Sequence, residues 1–403
     1  MMKQSILFLS AALLVGSASA QKTYRIQGSV PGAKDGLKVY LTDDFQQGKG
    51  GLHDSATIKN EQFELKGKAA WGFSRHVSLM VDKNPGVPRD RKMVRFFMGD
   101  EQVKVECCMD SLPGYYYNTG GRMENVIITG SKDQEIYQRF REQVKALRQK
   151  NSELYDAYLK EYHIPAADGT FNTARGIELS RELEKTRQEL HRQRMEFMKA
   201  HKSSVVSAYL AVEILGSTNS RFTAAEIDAI AAIPAASLAN STIMKEVKKM
   251  AATAKITAKG KSYIDIPLMD KSGKTVQLSS LIKPGQYNML EFWASWCGPC
   301  RAEIPHLREL SKTVSDKDFN IISISIDERK ADWEKAMKEE HMEWTQACDP
   351  KGWDGPVAQR YKVQGVPFSI ILDPAGKIVA SEVRGAELDL VMKNLLGDKI
   401  TAF

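Results

Sequence analysis

From Tyr24 to about Val105, apolar residues recur at every second position in short runs: Tyr24-Arg25-Ile26-Gln27-Gly28, Leu37-Lys38-Val39-Tyr40-Leu41, Gln62-Phe63-Glu64-Leu65, Val77-Ser78-Leu79-Met80-Val81 and Val94-Arg95-Phe96-Phe97-Met98. Gly, Asp, Asn and Pro separate the runs, so the pattern predicts short strands and a small antiparallel β-sandwich. At Ser131 the period changes. Ser131-x-x-Gln134 is a capping-box start, and Ile136, Phe140, Val144, Leu147, Leu154 and Tyr158 then keep helical spacing. A second helix runs through Ile177, Leu183, Leu190 and Phe197; Thr223-Ala224-Ala225-Glu226 caps another, with Phe222 and Ile227 placed as a hydrophobic staple. Residues 131–255 therefore read as a helical spacer with one apolar face. From Tyr263 strands and helices alternate, which indicates an α/β sheet covered on both faces. Strands fit near 263–268, 275–278, 287–293, 319–326, 368–372 and 377–382, and helices near 300–314, 330–341 and 386–396.

Composition adds a leader and excludes several classes. Met1–Ala20 has a basic start at Lys3, an apolar stretch from Ile6 to Val15 and Ala18-Ser19-Ala20 before Gln21, the pattern of a cleaved secretory signal peptide. Gln21 stands where a lipoprotein would carry cysteine, and no later apolar run reaches the length of a membrane span. The mature chain is expected to be soluble in a bacterial periplasm. Its domains are expected at 21–130 (β-rich), 131–255 (helical) and 256–403 (α/β). The chain's formal charge of +7 is scattered, so no nucleic-acid partner is expected. Lys83–Arg95, with two prolines, and the loop tyrosines Tyr115-Tyr116-Tyr117 read as a charged hairpin loop and a turn rather than as binding edges. His191 and His201 ride on charged helix surface.

Five cysteines are too few for a disulfide scaffold. Cys107 and Cys108 are neighbours in what reads as a strand, one core and one exposed, with a vicinal disulfide as the alternative. Cys348 reads as a structural thiol. Only Cys297 and Cys300 have motif spacing, in Phe292-Trp293-Ala294-Ser295-Trp296-Cys297-Gly298-Pro299-Cys300, where an apolar strand runs into a helix carrying Ile304, Leu307, Leu310 and Val314. A helix N-terminus favours an anion, so Cys297 sits where a thiolate is stabilised, with Cys300 one turn away. A zinc knuckle needs four ligands, and no second Cys-x-x-Cys or His-x-x-x-His is present; a structural disulfide stays open. No cofactor or metal is expected.

Trp-Cys-Gly-Pro-Cys, followed by Gly365-Val366-Pro367-Phe368, resembles the thioredoxin fold. Phe-Trp-Ala-Ser-Trp-Cys-Gly-Pro-Cys-Arg-Ala-Glu-Ile-Pro and the turn Asp373-Pro374-Ala375-Gly376 resemble its TlpA/ResA-like periplasmic branch. Ala331–Trp353 matches that branch's insertion in place. The pattern around Asp54-Ser55-Ala56 resembles a domain of unknown function that often precedes thioredoxin modules. The resemblance implies a thiol-disulfide oxidoreductase in which Cys297 attacks and Cys300 resolves. Pro367 would be the cis-proline, and Trp296, Val366 and Pro367 would meet the client. Glu291 stands where thioredoxins carry a buried acid, or is a salt-bridged strand carboxylate; Glu303 matches an acid of the branch, or is an exposed helix charge. Disulfide-bearing client proteins, a membrane electron donor, a reducing direction and a part in cytochrome c maturation are further implications.

Two other functions compete. A thiol peroxidase of this fold carries Pro-x-x-x-Thr/Ser-x-x-Cys, and this chain has Leu290 and Ala294 at the Pro and hydroxyl positions. An envelope binding module would use the β-domain and helices to recruit a partner, with the redox domain regulating it.

Overall fold

The computed structural model describes residues 23–45, 53–69, 72–84, 87, 90–114, 125–216 and 221–399. The leader Met1–Ala20 and the loop Tyr115–Tyr117 lie outside them. The chain forms two compact units that divide at Gln134/Glu135.

The first unit holds β1 (Thr23–Ser29), β2 (Lys38–Asp43), β3 (His53–Thr57), β4 (Gln62–Lys68), β5 (Arg75–Val81), β6 (Lys92–Met98), β7 (Gln102–Glu106) and β8 (Ile127–Thr129). They make two four-stranded sheets, β4-β1-β7-β8 and β3-β2-β5-β6. One shared core joins them, with Ile26, Phe63 and Val103 from one sheet and Leu41, Leu79 and Phe96 from the other. The sandwich departs from the antiparallel expectation at one pair, because β1 and β7 run parallel. Parallel neighbours need a crossover, and β5 with β6 supplies it in the opposite sheet. Cys107 and Cys108 follow β7 instead of lying in a strand. The turn into Met109–Ser111 leaves Cys107 buried and Cys108 exposed, both as free thiols. The capping box expected at Ser131 is half made. The Gln134 N–H donates to Ser131 Oγ at 3.3 Å, while the Gln134 side chain accepts instead from the Phe97 N–H at 3.0 Å.

After α1 (Lys132–Gln143), the second unit continues with α2 (Lys145–Tyr158), a π-turn at Leu159–His163, α3 (Ile164–Ala167), α4 (Thr173–Ala200), α5 (Val205–Gly216), α6 (Ala224–Ala231) and α7 (Thr242–Ala254). Thr223 and Glu226 form a complete capping box on α6. His191 and His201 are half-buried rather than solvated, because Phe222 and Phe197 lie against their rings at 5.1 and 4.3 Å. The helices pack on the α/β part of the same unit: α4 runs along the last helix of the chain, and α3 touches the helix that follows the Cys-x-x-Cys.

That α/β part has β9 (Pro267–Met269), β10 (Thr275–Gln277), β11 (Tyr287–Trp293), α8 (Gly298–Thr313), β12 (Phe319–Ser325), α9 (Lys330–Glu339), β13 (Thr345–Cys348), α10 (Pro356–Tyr361), β14 (Phe368–Leu372), β15 (Ile378–Ser381) and α11 (Gly385–Leu396). Its seven-stranded sheet has the order β10-β9-β13-β12-β11-β14-β15. β11 is central, parallel to β12 and antiparallel to β14. Alternation divides its side chains between two layers. Leu290 and Phe292 join Trp333, Val357 and Tyr361 on the α9 and α10 side, whereas Met289 joins Leu307, Leu310, Leu388 and Met392 on the α8 and α11 side.

Candidate active site

β11 delivers the chain into the Cys-x-x-Cys, and Asp327, two residues past the end of β12, holds the intervening loop. The Ser295 N–H and Oγ–H donate to its carboxylate at 2.9 and 2.6 Å. Cys297 is then the N-cap of α8. It is bonded to Cys300, so the structure shows the oxidised pair. The Cys300 N–H donates to Cys297 Sγ at 3.2 Å, an interaction that favours an anion there once the pair is reduced. Cys297 keeps 5% of its surface exposed and Cys300 none, so only the first sulfur can be approached from outside.

The Val366–Pro367 peptide is cis, and the Val366 carbonyl oxygen lies 3.6 Å from Cys297 Sγ. Beside it a cleft of about 480 Å³ opens, lined by Pro299, Val366 and Pro367 together with Leu215, Met250 and Thr253 of the helical stretch. Trp296 is 60% exposed and faces Trp353, itself 40% exposed, with ring centroids 6.4 Å apart. Trp353 was not among the expected site residues. It follows the stretch after β13, and nothing in its local pattern places it near the motif.

Glu291 is buried at 2% exposure and is not salt-bridged. Its odd position in β11 turns it toward the α8 and α11 layer, between Ser323 of β12 and Ser369 of β14. Neither carboxyl oxygen has a hydrogen-bond partner of ordinary geometry. Burial pushes its pKa up to about 8, with a smaller upward push from the Glu303 charge and an opposing pull from the Ser323 hydroxyl.

Glu303 is also buried, which removes the exposed-charge alternative. Its Oε1 accepts the Gly385 N–H at the start of α11 at 2.6 Å and lies 3.1 Å from His306 Nδ1. Burial raises this carboxyl, but the hydrogen bond and charge of His306, the Gly385 N–H and the Arg384 charge outweigh it and leave the pKa below the ordinary value. His306 Nε2 lies 2.8 Å from Asp389 Oδ1. Burial lowers the His306 pKa, and the two carboxylates overcome it and carry it up to about 10. The hydroxyl of Tyr162, from the π-turn after α2, donates to Asp389 Oδ2 at 3.3 Å.

His306, Asp389 and Tyr162 were missed in the sequence. Glu303-x-x-His306 spacing puts both residues on one helix face, and His306 sits between Ile304 and Leu307 in the apolar pattern. That much could have been seen. Cys348 is a buried free thiol, and burial pushes its pKa up to about 12, the behaviour of an inert structural cysteine. Among the described residues no cluster of side chains is arranged to hold a metal.

Residues 259–381 match the sequence profile of the AhpC/TSA family, and residues 24–137 match a domain of unknown function, DUF4369. The thiol-disulfide oxidoreductase ResA of Bacillus thuringiensis subsp. konkukian is 30% identical over 128 residues, which cover 32% of this chain and 70% of that protein. ResA of Bacillus subtilis is 28% identical over 122 residues, covering 30% and 65%. Among solved structures, the thioredoxin domain of a thiol-disulfide oxidoreductase from Bacteroides vulgatus is 34% identical, covers 35% of this chain and 99% of that chain, and superposes with a TM-score of 0.33. A thiol-disulfide oxidoreductase from Bacteroides fragilis is likewise 34% identical, covering 34% and 100%, with a TM-score of 0.32.

Proposed function

The chain belongs to the ResA-like thiol-disulfide oxidoreductases of thioredoxin fold, and on that premise we propose that it reduces protein disulfides in the periplasm through Cys297 and Cys300. In the reduced enzyme the Cys297 thiolate attacks one sulfur of a client disulfide. A mixed disulfide forms and the second client sulfur leaves as a thiolate. Cys300, after losing its proton, attacks Cys297 Sγ; the Cys297–Cys300 disulfide forms and the client is released with both thiols and two electrons. Glu291 is the proposed acceptor of the Cys300 proton. Its carboxyl, raised to about 8, exchanges protons near neutrality.

The observation that carries this reading is the sulfur pair itself, one keeping a little accessible surface and one sealed, at a helix N-terminus beside the cis Val366–Pro367 peptide. Trp296, Val366 and Pro367 are proposed to hold an extended client segment over Cys297, with main-chain groups at 366 serving as an edge for it. Because a periplasm is otherwise oxidising, the pair must be recharged by a membrane electron donor. Cytochrome c maturation is one process that needs such a reductant.

Changing Cys297 to Ser is expected to abolish insulin-disulfide reduction, and changing Cys300 to Ser to accumulate a mixed disulfide with the client. Full activity of the Cys297 variant would overturn the assignment. Direction is read separately by equilibrating the full chain with glutathione. A potential below about −180 mV, the value of protein disulfide isomerase, is expected, and a higher one would make the protein an oxidant or isomerase.

A further inference from the structure

We propose that His306 is a positioning residue of the redox site: clamped as a cation between Glu303 and Asp389, it holds Glu303 as a permanent carboxylate one helical turn from Cys300 and leaves Glu291 as the one buried acid that exchanges protons there. The proposal deepens the oxidoreductase reading and rests on it for the part played by Cys300.

The geometry suits a cation. A neutral imidazole has a single N–H, yet His306 has a carboxylate oxygen at hydrogen-bond distance from each ring nitrogen, 3.1 Å to Glu303 and 2.8 Å to Asp389. All three groups are buried, so solvent does not share the charge. If the ring lost its proton, two buried carboxylates would face each other through it, and one of them would have to take up a proton.

The cluster is closed by chain segments far from the motif. From α11, the Gly385 N–H donates to Glu303, Asp389 faces the ring, and Arg384 adds positive charge near Glu303. Glu387 of the same helix faces outward to Arg187 and Arg221 of the helical stretch. From the helical stretch, Tyr162 donates to Asp389, and Tyr158 lies within the field of Glu303, Glu387 and Asp389. From β11, Glu291 feels the Glu303 charge. Burial, first, and these carboxylates keep both phenols protonated.

Two glycines permit this closure. A Cβ on Gly385, whose φ is +50°, would lie 2.6 Å from Tyr158 Oη and 3.0 Å from the Tyr162 ring. A Cβ on Gly176 of α4 would lie 2.5 Å from Tyr162 and 2.6 Å from Ala386 Cβ. The helical stretch is therefore built down onto the start of α11, and it seals the charged cluster against water.

Residues three apart on a helix have Cβ atoms about 5–6 Å apart, which puts Glu303 beside Cys300. A carboxylate of constant charge there biases the Cys300 thiol equally at every working pH. A carboxyl that gained and lost a proton would add its own pH dependence to the exchange.

The test reads the charge first and the chemistry second. In the oxidised full chain labelled with ¹⁵N-histidine, both His306 ring nitrogens are expected to carry protons at pH 8; a neutral ring at that pH overturns the proposal, whatever the protein reduces. The exchange of the reduced protein with glutathione disulfide is then followed from pH 5 to 9. His306→Gln is expected to add a new break below pH 8 that the parent lacks. Tyr162→Phe, which removes the hydroxyl that shares the charge of Asp389, is expected to raise the pH at which His306 deprotonates by a measurable fraction of a unit. A folded His306→Gln protein with the parent's profile overturns the proposal. Should that variant fail to fold, the ring titration in the parent and in Tyr162→Phe decides, and an unchanged midpoint counts against it. Failure of the parent to exchange at all would sink the oxidoreductase reading while leaving the ring measurement interpretable.

Discussion

Two glutamates are buried in the same layer of the redox unit, one on the strand that enters the motif and one on the helix that leaves it, and they share little else. Glu291 lies in a sheet interior where its neighbours across both strands are serines, and it has no cation. Glu303 receives a backbone N–H and an imidazolium. Burial pushes the pKa of the first up to about 8, while the groups around the second hold it below the ordinary value, although their exposures, 2% and 6%, hardly differ. Burial alone therefore decides nothing about a carboxyl's state; the groups that reach it do. A sheet strand can bring only its alternate side chains to such a site, and β12 and β14 bring hydroxyls. A helix end brings free N–H groups and a dipole, and α11 brings both, with Asp389 one turn in.

The most direct way to break the comparison is to make Glu291 unable to titrate. A group whose folded pKa is raised contributes stability that is fully present below its unfolded value and is lost as pH rises through the folded one. For Glu291 that window runs from about 4.5 to about 8. Glu291→Gln is expected to flatten this fall and to gain stability above pH 8, with roughly 5 kcal/mol as the upper bound at 1.36 kcal/mol per pKa unit. It should also slow resolution of the mixed disulfide by about 10²-fold, the lower end for loss of a general base. Urea unfolding at pH 5, 7 and 9, with stopped-flow resolution at pH 7.5, checks both. An unchanged pH slope would mean that Glu291 is ionised in the folded protein and that the two carboxyls do not differ as described.

Legibility in the sequence follows the same division. Strands with one buried face write a period of two, so β1, β2, β4, β5 and β6 could be read from Ile26, Leu41, Phe63, Leu79 and Phe96 and their alternation. β3 could not, because Asp54, Ser55 and Thr57 give it no apolar period. α5 escaped for the opposite reason: Val205, Val206, Ala208, Leu210, Ala211 and Ile214 bury most of its circumference, so no stripe stands out. The positions of Cys297, Cys300, Glu291 and Pro367 were legible from spacing and resemblance. Their surroundings were not. The hydrogen bond from Tyr162 to Asp389 joins residues 227 apart in sequence, and that from His306 to Asp389 spans 83, distances over which no local period carries information. The charge state of Glu303 was therefore invisible, although the residue itself was in plain view.

The smallest expected effect comes from the mouth of the site and serves to sharpen the contrast inside it. Trp296 and Trp353 are among the large apolar side chains left exposed, and they stand against each other beside Cys297. An exposed aromatic pair offers a client chain a broad apolar surface at small entropic cost, and such contacts contribute about 0.5–1.5 kcal/mol. Removing Trp353 leaves Trp296, the sulfur pair and the cis peptide in place. Trp353→Ala is therefore expected to raise KM for a protein client about two- to tenfold with kcat nearly unchanged, and to leave exchange with glutathione disulfide as it was, since so small a disulfide needs no platform. Because Trp353 is exposed while Glu291 and Glu303 are buried, the pH profile should not move. A shift in that profile on loss of an exposed side chain would mean that the mouth of the site controls its buried charges, and would take the difference between the two carboxyls out of the hands of β12, β14 and α11.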